Sequence, residues 1–187
     1  MDLGELLESS GAILHGHFVL SSGRHSDVYV EKFRILERPE VLTALCAEIA
    51  ARFQEDGVDV VAGPTTGGVI IAFEVARQMG LPALYVETED GRKTVRRGAT
   101  VPPGARVLVV DDVLTTGLSV KETVCAVEER GGVLAGVAVL VQRTEAPPEF
   151  GAPFLAVHRV SAVSYAPEEV PDWLAKLPIH KPGTRKS

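Results

Sequence analysis

The sequence has little cysteine, no excess of positive charge and no long apolar run, and each scarcity removes a class of protein. Only Cys46 and Cys125 occur in 187 residues, each in an apolar, helix-like stretch and without CxxC spacing, so no disulfide framework, zinc site or redox motif is indicated. Both are read as buried free thiols, which suits a reducing cytoplasm. A domain of this length buries about 70% of the surface its unfolded chain exposes, so it needs no staple to fold. Nineteen Lys and Arg against 25 Asp and Glu leave a net charge of −6. That balance argues against nucleic-acid and membrane partners, whose surfaces attract a positive field. No apolar run approaches the roughly 18 residues of a membrane span. The first ten residues carry Asp2, Glu5 and Glu8 where a signal peptide would be basic and then apolar. Heptads, repeats, a GxxxxGKS/T loop and a GxGxxG turn after a strand are all missing, which removes coiled coils, solenoids and the common nucleotide-binding loops. The expectation is one cytoplasmic domain spanning 1–187.

What is present alternates. A short helix and turn open the chain, and residues 17–30 hold two β-prone runs around Ser21, Ser22 and Gly23, a hairpin pattern. Over 40–54, Val41, Leu45, Ile49 and Phe53 recur at steps of four and mark a helix with one buried stripe. Strand patterns at 58–62, 83–86, 106–110 and 133–141 then alternate with helix patterns at 69–79 and 119–130. Apolar strands separated by helices imply right-handed crossovers and a parallel sheet covered on both faces, an α/β fold. The proline-bearing tail beyond 167 reads as an irregular arm ending in four scattered cations and hydroxyls, solvated rather than ligand-binding.

One turn carries most of the chemistry. Val107, Leu108, Val109 and Val110 form a buried strand, Asp111 and Asp112 emerge at its end, and Thr115, Thr116 and Gly117 lead into a helix. Ligands of parallel sheets gather at the carboxyl ends of strands, and a helix amino terminus offers free N–H groups to an anion. Two carboxylates would repel a phosphate, so their partner is a sugar hydroxyl, a Mg²⁺ ion, or both. A phosphorylated sugar satisfies the whole arrangement.

The run from Val107 to Ser119 resembles the phosphoribosyl-pyrophosphate (PRPP) signature of the type I phosphoribosyltransferases. The resemblance implies that family's central parallel sheet with flanking helices, and a small hood built from about 1–35 and 150–187. It implies that Asp111 and Asp112 hold the ribose hydroxyls and, directly or through water, the Mg²⁺ that accompanies PRPP. Val113 and Leu114 would belong to the same PRPP site, and Thr115, Thr116, Gly117, Leu118 and Ser119 would wrap the 5′-phosphate. Glycine-rich 63–68, with Thr66 and Gly67, resembles the pyrophosphate loop. Leu20, Ser22, Gly23 and Ser26 fit the Leu-x-Ser-Gly-x-x-Ser hood of the orotate phosphoribosyltransferases within that family. There the backbone at Tyr29 and Val30, with Thr115 and Arg143, would border orotate, and Arg143 would pair with its carboxylate.

Residues 87–98 lie where the family carries a mobile catalytic loop, and the resemblance makes Arg92, Lys93, Arg96 and Arg97 the cations for leaving pyrophosphate, with Gly91 and Gly98 as hinges. It also implies a homodimer with shared active sites. The sequence departs from the longer members at Ser21 and Gly67, where they carry lysines, and at Leu118 and Gln142. It is nearer a shorter branch that reads Glu-Arg-Glu-Asp-Gly before a paired Arg-Arg-Gly, although Thr88 stands at the basic position. A purine or uracil phosphoribosyltransferase would share the Asp111 turn but not the hood pattern or Arg143. A PRPP-sensing regulator would call for an added DNA-binding segment or a basic face.

Overall fold

The computed structural model describes residues 2–95 and 98–182. The amino-terminal helix α1 (Leu3–Ser9) is capped by Asp2, whose carboxylate accepts from Gly4 N at 2.7 Å. It leads into the hairpin β1 (Ile13–Val19) and β2 (His25–Val30), paired antiparallel across the expected Ser-Ser-Gly turn. Then follow the short α2 (Phe33–Leu36), α3 (Pro39–Phe53), β3 (Val60–Pro64), α4 (Gly67–Met79), β4 (Ala83–Glu89), β5 (Arg92–Val95), β6 (Arg106–Leu114), α5 (Leu118–Glu128) and β7 (Val133–Gln142). The chain ends through β8 (Phe154–Arg159), β9 (Ser164–Tyr165), α6 (Asp172–Ala175) and β10 (Ile179–His180).

Two sheets result. The larger runs β5-β4-β3-β6-β7-β8, with β4, β3, β6, β7 and β8 mutually parallel. Successive side chains of a strand face opposite ways, and β6 divides accordingly: Leu108 and Val110 join Leu45, Ile49, Phe53, Ile71 and Val75 under α3 and α4, whereas Val107 and Val109 join Val120, Ala126 and Val127 under α5. The four-stranded sheet β10-β1-β2-β9 draws on both chain ends and forms the hood. The tail beyond 167, expected as an irregular arm, supplies one of its strands, β10, and β9 lies just before that tail. Of the ranges assigned to the hood, β8 instead extends the large sheet, reached by a connection that holds Pro147, Pro148 and Pro153.

Other expectations need correction. The sheet is mixed rather than wholly parallel, because 87–95 is a β-hairpin and not an open loop: β5 pairs antiparallel with β4 through Val86–Val95 and Glu89–Arg92. Its turn is Asp90-Gly91, with φ of 48° and 79°, the left-handed pair that a two-residue hairpin demands. Strand β6 does not stop at Val110 but runs on beside β7 through the Val113–Val141 and Leu114–Gln142 pairs. Asp111 and Asp112 therefore lie within the strand and are only 7% and 8% exposed. Cys46 is a buried free thiol, pushed up to about 12 by burial, but Cys125 is exposed, because α5 turns Val120, Thr123, Ala126 and Val127 inward and leaves Cys125 outside that stripe.

Candidate active site

Strand order places the site. From β3 the chain crosses by α4 to β4 on one side, and from its neighbour β6 it crosses by α5 to β7 on the other. The two turns, at Thr65, Thr66 and Gly67 and at Thr115, Thr116 and Gly117, therefore open into one crevice at the point where the winding reverses. Neither helix start is capped by the side chain of its own N-cap residue, Thr66 for α4 and Gly117 for α5. At α5 the Leu118 N–H meets only Thr116 Oγ1, at a long 3.4 Å, and the amino-terminal N–H groups and positive dipole ends of the two helices suit two separate anionic groups.

Between these helix ends lies the acid pair. Asp111 Oδ1 accepts from Asp112 N at 2.9 Å and its Oδ2 from Ser119 Oγ at 3.0 Å, which ties the phosphate turn to the strand. Burial, then the neighbouring Asp112 carboxylate, pushes the Asp111 carboxyl up to about 6. Asp112 Oδ1 accepts from Val113 N and Oδ2 from Lys32 Nζ, both at 2.7 Å. Gly67 packs directly on this carboxylate: a Cβ there would fall inside contact distance of Asp112 Oδ2 and 3.2 Å from Leu36 Cδ1. No lysine side chain fits at that position without moving Asp112.

A cavity of about 850 Å³ separates the hood from the large sheet, and Tyr29, Ser21, Arg24, Thr115, Thr116 and Arg143 are among its lining residues. Arg143 is anchored at its root by its N–H to Leu114 O at 2.9 Å, and its guanidinium donates to Val28 O at 3.2 Å. Its Nε is buried and has no hydrogen-bond partner among the described residues, and burial lowers the pKa of the guanidinium. A desolvated cation with an unused donor has reason to take an anion. Burial, ahead of Glu31, raises the Tyr29 hydroxyl, and the ring lies 5.6 Å from that of Phe18.

The structure thus brings Tyr29, Thr115, Thr116 and Arg143 to one cavity, and Gly67, Asp111, Asp112 and Ser119 to the adjoining strand end. Val30 and Leu114 are buried in the two apolar cores, so only their backbone is free to meet a ligand; Leu118 is 60% exposed at the start of α5. On the hairpin, alternation separates two of the expected cations. Lys93 lies near enough to Asp111 to lower its pKa, whereas Arg92 pairs with Glu129 at 3.1 Å near the far end of α5. Arg96 and Arg97 lie outside the described residues. Sequence reasoning missed Lys32: it follows β2 with no motif around it, and its partner Asp112 is 80 positions away.

The chain matches the phosphoribosyl transferase domain model over residues 34–159. It is 46% identical over 181 residues to an orotate phosphoribosyltransferase of Pelotomaculum thermopropionicum, covering 97% of this chain and 95% of that protein. Among solved structures it is similar to the orotate phosphoribosyltransferase of Aeropyrum pernix, with 32% identity and a TM-score of 0.73 over 85% of this chain and 94% of that one. It is also similar to the Mycobacterium tuberculosis orotate phosphoribosyltransferase in complex with Fe(III) dicitrate, at 29% identity and a TM-score of 0.71 over 85% and 95%. Two helix amino termini astride a buried acid pair, beside a cavity with a half-buried arginine, agree with these matches: the chain belongs to the phosphoribosyltransferase family, in the group of the orotate phosphoribosyltransferases.

Proposed function

We propose that this protein is an orotate phosphoribosyltransferase, moving the 5-phosphoribosyl group of PRPP to N1 of orotate and releasing pyrophosphate, a step of pyrimidine biosynthesis that yields orotidine 5′-monophosphate. The observation that carries the reading is Arg143, a half-buried cation in the cavity wall whose buried Nε has no hydrogen-bond partner among the described residues, beside the acid pair. It takes the orotate carboxylate. Tyr29, the Val30 backbone and Thr115 border the base. Thr115, Thr116, Gly117, Leu118 and Ser119 receive the 5′-phosphate at the start of α5, with Val113 and Leu114 as the backbone beneath them. Thr66 and Gly67 receive pyrophosphate at the start of α4.

Among the described residues no cluster of three or more His, Cys, Asp and Glu side chains could hold a metal alone. Mg²⁺ characteristically takes one or two carboxylates plus phosphate oxygens, so Asp111 and Asp112 fit an ion shared with PRPP, directly or through water. Bound there, Mg²⁺ supplies charge neutralisation of the pyrophosphate.

Breaking the C1–O bond leaves the electron pair on pyrophosphate and positive charge on the ribose, which the Asp111 and Asp112 carboxylates stabilise as they hold its hydroxyls. Arg92, Lys93, Arg96 and Arg97 are the cations expected to meet the leaving group; of the two among the described residues, Arg92 and Lys93, Lys93 is the one whose field reaches Asp111 in its own chain. The hairpin would close over the site and exclude water, which otherwise competes for C1. Exposed Phe33, Ile70 and Phe73, on the mutually packed α2 and α4, support a homodimer with shared sites. Cytoplasmic residence fits such small anionic substrates, and among the described residues no helix is long and apolar enough to cross a membrane.

The test is the stoichiometry of orotate loss and pyrophosphate release with PRPP and Mg²⁺. Equal amounts are expected, and Arg143→Ala should raise KM for orotate at least tenfold while leaving KM for PRPP within twofold. Absence of turnover with intact PRPP binding would overturn the assignment.

A further inference from the structure

Lys32 sits where the proposed pyrophosphate turn lacks a cation. Its ammonium donates to Asp112 Oδ2 at 2.7 Å, and that same oxygen occupies the space into which a side chain on Gly67 would grow. The lysine therefore reaches, from the end of β2 in the hood, the spot above the first residue of α4. Among the described residues this is its single hydrogen bond, so two of its three donors are free, and its side chain is 38% exposed against 11% for Asp112. An ammonium on a flexible four-carbon stem can change partners within a few ångströms, and a half-exposed ion pair holds it weakly.

We propose that Lys32 is the pyrophosphate cation of this enzyme: it neutralises Asp112 while the site is free and donates to pyrophosphate oxygens when PRPP lies across Thr66 and Gly67. The inference rests on the placement of pyrophosphate given above. The exchange releases Asp112 Oδ2 for a ribose hydroxyl at the moment the anion arrives, so one movement prepares both contacts. Lys32 gives up no proton. As C1–O breaks, the electron pair goes to the pyrophosphate oxygen, and the ammonium stabilises that charge. Because Lys32 lies three residues beyond Tyr29, at the N-cap of α2, the segment leading from β2 into α2 would touch the base with one side chain and the leaving group with the other.

Initial rates in both directions test this, with Lys32→Met, Lys32→Arg and Asp112→Asn beside the parent. For Lys32→Met, KM should rise at least tenfold for PRPP and, in reverse, for pyrophosphate. KM for orotate and orotidine 5′-monophosphate should stay within twofold, and Lys32→Arg should recover most of the loss. If Lys32→Met does not fold, Lys32→Gln keeps a donor for Asp112 without the charge and reads the same split. Equal rises for all four substrates would mean that Lys32 merely pins the hood, and would overturn the proposal. So would unchanged KM for PRPP and pyrophosphate. A PRPP defect in Asp112→Asn without one in Lys32→Met refutes the role of Lys32 alone, whereas no defect in either refutes the underlying placement of PRPP.

Discussion

Replacing Asp111 with Asn should stabilise the free protein while damaging its chemistry. The carboxyl stands at about 6 against an ordinary 3.8, chiefly because it is buried and next because Asp112 adjoins it. That displacement is about 2 pKa units, and at 1.36 kcal/mol per unit the ionised form costs the fold about 3 kcal/mol at neutral pH. An Asn Oδ1 still accepts from Asp112 N, and its amide can donate to Ser119 Oγ once that hydroxyl rotates. Imperfect rearrangement reduces the gain to roughly 1–3 kcal/mol, which for a domain of this size is about 3–9 °C in Tm. The sign follows from the raised pKa. Below about pH 4 the carboxyl is protonated folded or unfolded and costs nothing, so the two proteins should melt alike. As pH rises through about 6 the parent alone acquires the buried charge, and the gap should open to its full size by pH 7.5. Thermal melts across that range, in chelator and without PRPP, measure it. A variant less stable than the parent at pH 7.5, or a gap that ignores pH, would refute the electrostatic account of this site.

Two further outcomes follow from the same contacts. Lys93→Ala should lower kcat at least tenfold, while Arg92→Ala, losing a pair to Glu129 whose partners are 80% and 60% exposed, should change folding stability by less than about 0.5 kcal/mol; steady-state rates and urea melts on both variants check the contrast. Buried Glu74 accepts from Arg77, Gln78 and Thr43, and the Arg77 hydrogen bond leads in holding its carboxyl down to about 2, so Glu74→Ala should cost roughly 2–3 kcal/mol at pH 7. Because that pKa is lowered, the contribution is present above about 4.5 and lost as pH falls toward 2. Urea melts of the variant and the parent should therefore converge in acid.

The alternation of apolar strands and helices was legible because both faces of the parallel sheet are covered, which leaves β3, β6 and β7 almost continuously apolar. The acid pair, the two turns and Arg143 were legible because short-range motifs hold them. The β4–β5 hairpin was hidden by its polar residues, with Asp90-Gly91 its one local sign, and β8 by the prolines that precede it. Lys32 and the Glu74 network could not be read at all. Their meaning lies in contacts made across the fold, Lys32 to Asp112 over 80 positions and Thr43 to Glu74 over 31, which no periodicity records.

The ratio of kcat/KM for orotate to that for uracil tests the central claim most directly, because the two bases differ by the carboxylate assigned to Arg143. A site built around a half-buried cation with an unused Nε leaves that charge unpaired when the carboxylate is missing, which predicts a preference for orotate on the order of 10³ or more. A ratio within tenfold, or faster turnover of uracil, hypoxanthine or adenine, would contradict it.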